Sequence, residues 1–282
     1  MIRVKKRIKS FFFTIWTLIR LPEMTMLPGV LAFFFVLSVV PIITLIGYGA
    51  ALLNQSMDFL SDFITQAFSP AVSSMIFPPM NEINLGFNFF ISLIVGFFIA
   101  SNGADAIVLS SNAIYGIKNK GYIRRRAKAL VMTVLIVILF LFILVVPVFG
   151  NKIMELIGTV NLNDTVTRNI QAIYFVLKGA ISWFIMFFFI KIIYTMAPEK
   201  KIASSTVNYG AVFTTVLWMS ITYLYSYYIN HFANMAPIYG GLANIVILML
   251  WVYILATVFV IGMAMNYKKE TLSKNGKIKK NN

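Results

Sequence analysis

Six long apolar runs divide the chain, and positive charge is confined to alternate gaps between them. The runs are Pro28–Leu53, Leu85–Ile107, Ala129–Phe149, Ile170–Ile193, Ala211–Phe232 and Gly240–Met265. Each holds about 20 residues or more, enough at about 1.5 Å rise per residue to cross a hydrocarbon core about 30 Å thick. The gaps decide direction. Arg3, Lys5, Lys6, Arg7, Lys9 and Arg20 precede the first run, and Lys118, Lys120, Arg124, Arg125, Arg126 and Lys128 follow the second. Lys200 and Lys201 follow the fourth, with Lys191 just inside its end, and Lys268, Lys269, Lys274, Lys277, Lys279 and Lys280 follow the sixth. The other gaps hold only Lys152 and Arg168, against Asp58, Asp62, Glu82, Glu155 and Asp164. Because Lys and Arg accumulate in loops that stay in the cytoplasm, the pattern predicts six crossings with both termini cytoplasmic.

The expected fold class is therefore all-α, a six-helix transmembrane bundle. With 60% apolar and 12% charged residues, the chain has too little polar surface to cover six such helices in water. A net charge of +15 would suggest nucleic acid in a soluble protein. Here it is split among short segments where anionic headgroups are the expected partners, and nucleic acid is not. The absence of cysteine excludes disulfides, thiolate catalysis and Cys-based metal sites.

Three units are expected. Residues 1–27 form a cytoplasmic interfacial helix: Ile8, Phe12, Ile15 and Ile19 share one helical face behind a basic stretch, and no small-residue cleavage pattern precedes Pro28. Residues 28–267 form the transmembrane domain, and 268–282 a basic disordered cytoplasmic tail. Within the first outer segment, Leu60, Phe63, Ile64, Ala67 and Phe68 oppose Asp58, Ser61, Asp62 and Thr65, which predicts a short amphipathic helix ended by Pro70.

Polar residues inside apolar helices are costly and commonly face a bundle interior or cavity. On the second helix, Asn102, Asp105 and Asn112 share a face, beside the small residues Gly96, Ala100, Gly103 and Ala104. Alternatively, Asp105 lies near the helix end and meets Arg124–Arg126 or water. Gln171, Tyr174, Lys178 and Ser182 form a stripe on the fourth helix, and Ser220, Tyr223, Tyr227, His231 and Asn234 one on the fifth. The two stripes are consistent with a wet cavity in the outer leaflet half. The competing reading has Lys178 snorkelling to the headgroups and the tyrosine hydroxyls bonding across helices.

Catalytic signatures are missing. His231 is the single histidine, no GxSxG elbow, P-loop or GxGxxG occurs, and the acids on the cytoplasmic side are scattered. No catalytic residue, metal site or cofactor is expected, and an enzyme is not.

Leu31-Ala32-Phe33-Phe34-Phe35 through Leu37-Ser38-Val39-Val40-Pro41 is the first of several segments, and it resembles the first-helix segment of the YihY/BrkB family of bacterial inner-membrane proteins. Ala100-Ser101-Asn102-Gly103 with Asn112-Ala113-Ile114-Tyr115 resembles its SxG…N..Y motif. Pro198, Gly210-Ala211 and Trp218 resemble its P…PGA…W stretch. Tyr239-Gly240-Gly241-Leu242-Ala243, Leu250-Trp251-Val252-Tyr253, and Gly262 with Asn266 resemble its last three motifs. The family's terminal acidic position is Ala264 here, so no role for that carboxylate transfers. The resemblance implies a six-helix protein of the bacterial plasma membrane whose historical labels are ribonuclease BN and virulence factor.

The expected function is movement or flipping of lipids, or of lipid-linked envelope precursors, without ATP hydrolysis. Groove-lining candidates are Asn102, Asp105 and Asn112 at the inner end, and Lys178, Ser182, Tyr223, Tyr227 and His231 at the outer end, with Lys178 as counter-ion for phosphate. Gly103 and Gly210 would allow close packing, and Pro41 a break in the first helix. Membrane lipids are the expected partners, with homo-oligomers left open. The alternatives are a non-transporting envelope-assembly protein and a small-solute channel.

Overall fold

The computed structural model describes residues 26–38, 41–42, 87–118, 121–138, 164–232 and 240–278. Six long helices run through them. They are α1 (Met26–Ser38), α2 (Phe87–Ile114), α3 (residues 122–138), α4 (Asp164–Met196), α5 (Asn208–Phe232) and α6 (Gly240–Ile278). No strand occurs among the described residues. Three stretches are long and apolar enough to cross a membrane: Ile94–Ile114 in α2, Gly179–Met196 in α4 and Val246–Thr271 in α6. The 25-residue α5 has the length, but Thr, Ser, Tyr and Asn lower its apolar content. Of the expected interfacial helix of residues 1–27 only Met26 and Leu27 are described, and they open α1; the outer-loop helix lies outside the described residues.

Helix ends depart from the apolar runs where polar residues find partners. α2 continues past Ile107 to Ile114 and stops at Gly116, which adopts a left-handed φ of 61°. There the Ile117 N–H donates to Asn112 O at 2.8 Å and the Gly116 N–H to Ala113 O at 3.2 Å, the paired bonds of a Schellman C-cap. A second left-handed glycine, Gly121 at φ 101°, turns the chain into α3. Arg124 to Lys128 therefore stand on a helix rather than in a loop. The disordered tail expected from residue 268 is instead helical as far as Ile278. Its first turn is held by a 3.0 Å ion pair between Glu270 and Lys200 and by Lys269 stacked over Tyr209.

α5 packs on α6 and α4, and α2 on α6. The α5–α6 crossing is close because Gly210 faces the Gly262 carbonyl and Asn266, while Gly262 faces the hydroxyls of Thr214 and Tyr194. The Gly210 N–H, one of the unsatisfied donors of the first turn of α5, donates to Asn266 Oδ1 at 2.8 Å. Tyr194 donates to the Phe259 carbonyl at 2.8 Å, tying α4 to α6. On α1, Ser38 Oγ accepts the Gly103 N–H at 3.2 Å, and a Cβ at Gly103 would lie 2.9 Å from that hydroxyl. Pro41 is helical and half-buried. The outer faces carry large exposed apolar side chains, among them Ile94, Phe98, Ile181, Phe188 and Leu250. A water-facing surface would not present them in this density.

Candidate functional site at the basic end

Three basic segments, between α2 and α3, between α4 and α5, and at the end of the α6 span, meet at one end of the described helices. Three consecutive arginines at the start of α3 point in three directions, as about 100° of rotation per residue requires. Arg125 Nε donates to Asp105 Oδ1 at 2.8 Å. Arg126 is buried along α2, donating from Nη1 to Asn102 Oδ1 at 2.8 Å and from Nη2 to the Phe98 carbonyl at 2.7 Å, with its guanidinium 4.0 Å from the Phe98 ring centre. Arg124 is exposed and turns toward the α4–α5 connection, where it lines a cavity.

That connection is clamped from two sides. Asn112 Nδ2 donates to Glu199 Oε2 at 3.0 Å, and the Glu199 N–H donates back to Asn112 Oδ1 at 3.0 Å. Both residues are buried. Lys128 Nζ, from α3, donates to the Pro198 carbonyl at 2.6 Å. The next residue, Lys200, pairs with Glu270 and lies 4.6 Å from the ring centre of Tyr115. Burial, and then the Glu270 charge, push the Tyr115 phenol above its usual range, so it stays neutral. Between α3 and this clamped turn lies a cavity of about 630 Å³ lined by Arg124, Lys128, Thr195, Glu199, Lys200 and Lys201.

A second cavity, of about 600 Å³, runs along α5, with Met265 of α6 as its one contribution from that helix. Its walls are Val212, Phe213, Val216, Leu217 and Met265, with Asn208 and Tyr209 at the basic end. Lys269 Nζ, from outside the lining, sits 3.2 Å from the ring centre of Tyr209, which lines the groove at its basic end. The lining is of the kind that admits hydrocarbon.

The candidates drawn from the sequence fall in separate places. Asn102 and Asp105 are held by the α3 arginines, so Asp105 has the ion-paired environment that was the alternative to a shared face. Asn112 is held by Glu199. Ser182 is half-buried on α4, and Tyr223 and Tyr227 stand on the exposed side of α5. The side chains of Lys178 and His231 lie outside the described residues. Neither cavity is lined by these eight residues. In the sequence Lys128, Lys200 and Lys201 are only topology signals, Arg124 is that and a candidate partner of Asp105, and Glu199 is one of the scattered acids on the cytoplasmic side. A spacing of 87 residues separates Asn112 from Glu199, beyond any local pattern.

A family model described as virulence factor BrkB matches residues 21–282. Among curated proteins, the chain is 30% identical over 243 residues to a ribonuclease-like protein, YfkH, of Bacillus subtilis (strain 168), covering 84% of this chain and 86% of that protein. It is 25% identical over 247 residues to the UPF0761 membrane protein PSHAa0171 of Pseudoalteromonas translucida (strain TAC 125), covering 85% and 79%. A further UPF0761 membrane protein, IL2447 of Idiomarina loihiensis, is 29% identical over 98 residues, about a third of each chain (33% and 34%). No solved structure matches the chain.

Proposed function

The chain belongs to the virulence factor BrkB family, and on that premise we propose that this membrane protein moves lipids, or lipid-linked envelope precursors, across the bacterial plasma membrane without hydrolysing ATP. Six helices cross the bilayer in this reading, with the basic end in the cytoplasm. The observation that carries the proposal is the α5–α6 groove. Its 600 Å³ volume is within the usual range of ligand sites, its walls are aliphatic and aromatic, and a cation stands over Tyr209 at its basic end. An acyl chain lies in the groove while Lys269 meets the headgroup phosphate. Lys178 serves a headgroup farther along, toward the outer leaflet.

The ribonuclease-like name of YfkH suggests a different activity. Among the described residues, no three His, Cys, Asp or Glu side chains gather as metal ligands, so that reading gains no support from them. We read the protein as a non-enzymatic one.

The test is scrambling of fluorescent phospholipid in liposomes reconstituted with the purified protein. Scrambling should exceed that of protein-free liposomes and fall several-fold in Val216→Trp, which fills the groove, and in Lys178→Ala. A rate equal to that of empty liposomes, or one indifferent to both substitutions, contradicts the proposal.

A further inference from the structure

The cavity between α3 and the α4–α5 turn is built differently from the apolar groove, and its chemistry points elsewhere. Four cations line it, Arg124, Lys128, Lys200 and Lys201, against one carboxylate, Glu199. That carboxylate accepts from Asn112 Nδ2. The neighbouring acids are also engaged, Asp105 by Arg125 and Glu270 by Lys200. None of the described residues pairs with Arg124 or Lys201, and both are exposed at the rim. The floor is rigid by comparison. Lys128 is fixed to the Pro198 carbonyl, and the Glu199 backbone is fixed to Asn112.

A concave site with surplus charge of one sign concentrates ligands of the other. A guanidinium with its fork of donors, beside point-charge ammoniums, suits phosphate oxygens. Basic pockets between membrane helices bind phosphate-bearing headgroups for the same reason. Because the turn is already clamped, little ordering is lost when a ligand arrives.

We infer that this cavity is a binding site for a phosphate group, with Arg124 and Lys201 closing on its oxygens and Lys128 and Lys200 forming its base. The group belongs to an anionic lipid headgroup or to a free phosphate; the chemistry is shared and the test separates them. The inference does not require transport, since a protein that only binds lipid would use the site in the same way.

The test uses the full chain in neutral detergent, with binding read from the ligand-dependent rise of the thermal midpoint. The probes are short-chain phosphatidylglycerol, short-chain phosphatidylcholine and inorganic phosphate. Phosphatidylglycerol should raise the midpoint more than phosphatidylcholine. If inorganic phosphate does so too, and competes, the free anion suffices; if it does not, the site reads a headgroup. In either case Arg124→Gln/Lys201→Gln should weaken binding at least about tenfold. The control Lys118→Gln/Lys268→Gln removes equal charge outside the cavity and should stay within about twofold. Both rim side chains are exposed, so the variant's ligand-free midpoint should match wild type and show that it folds. No anion-dependent rise, or equal losses in the two double variants, overturns the inference.

Discussion

Gly210 shows how little freedom single positions have where α5 crosses α6. A Cβ there would run into the Gly262 carbonyl and the Asn266 side chain, and a backbone carbonyl cannot swing aside as the end of a side chain can. Gly210→Ala should cost about 1–3 kcal/mol by overpacking, read as a lower thermal midpoint in detergent, whereas Gly179→Ala, with open space around it, should be neutral. Lipid lends no hydrophobic drive to helix association, so close approach and hydrogen bonds carry the packing. The Asn112–Glu199 pair is the clearest such bond. Asn112→Ala should cost about 1–3 kcal/mol by leaving buried groups at Glu199 short of a partner. The double variant Asn112→Ala/Glu199→Ala should cost less than the sum of the singles. Tyr115 gives a pH signature. Its pKa is raised in the folded state by burial and by Glu270, so its contribution is complete below the unfolded value of 10.0 and is lost as pH rises from there toward the folded one. The midpoint should therefore fall above pH 10, and Tyr115→Phe should remove that part of the fall. The sequence marks Gly210 and Asn112 as notable within family-like motifs, but what each touches is set by residues dozens of positions away.

Helices were the most legible level, because 20-residue apolar runs admit few other structures. α2, α4 and α6 each contain a stretch fit to cross a bilayer where a run was seen. Their ends were less legible, since an apolar run stops where hydrocarbon stops while a helix stops where its backbone is capped. Gly116, nine residues past Ile107 at the end of the second run and about three turns beyond Asp105, was available as a stop signal and supplies the C-cap. Gly116→Ala should cost about 1–2 kcal/mol, because its left-handed φ is disfavoured once a Cβ is present. The extension of α6 was hidden for a different reason. Composition alone reads Lys268 onward as a solvated tail, but Glu270 finds Lys200 and Lys269 finds Tyr209. The basic cavity was the least legible feature. Lys and Arg at helix ends mean topology until the fold shows which of them converge.

At the scale of the whole molecule, the hydrogen bonds and ion pairs place three separate connections together. The end of α2 and the start of α3, residues between α4 and α5, and residues near the end of the α6 span meet through Asn112–Glu199, Lys128–Pro198 and Lys200–Glu270. Three of the four basic segments of the sequence thus meet among the described residues. The proposed phosphate cavity and the mouth of the apolar groove both open there, so lipid handling in this account depends on that end facing the inner leaflet. The natural absence of cysteine makes the point measurable directly. Single cysteines placed at Lys118, Lys201 and Lys268, all exposed, are probed with a membrane-impermeant maleimide in intact and permeabilised cells. All three should be protected in intact cells and labelled once the membrane is opened. Labelling of any one of them from outside would contradict the account.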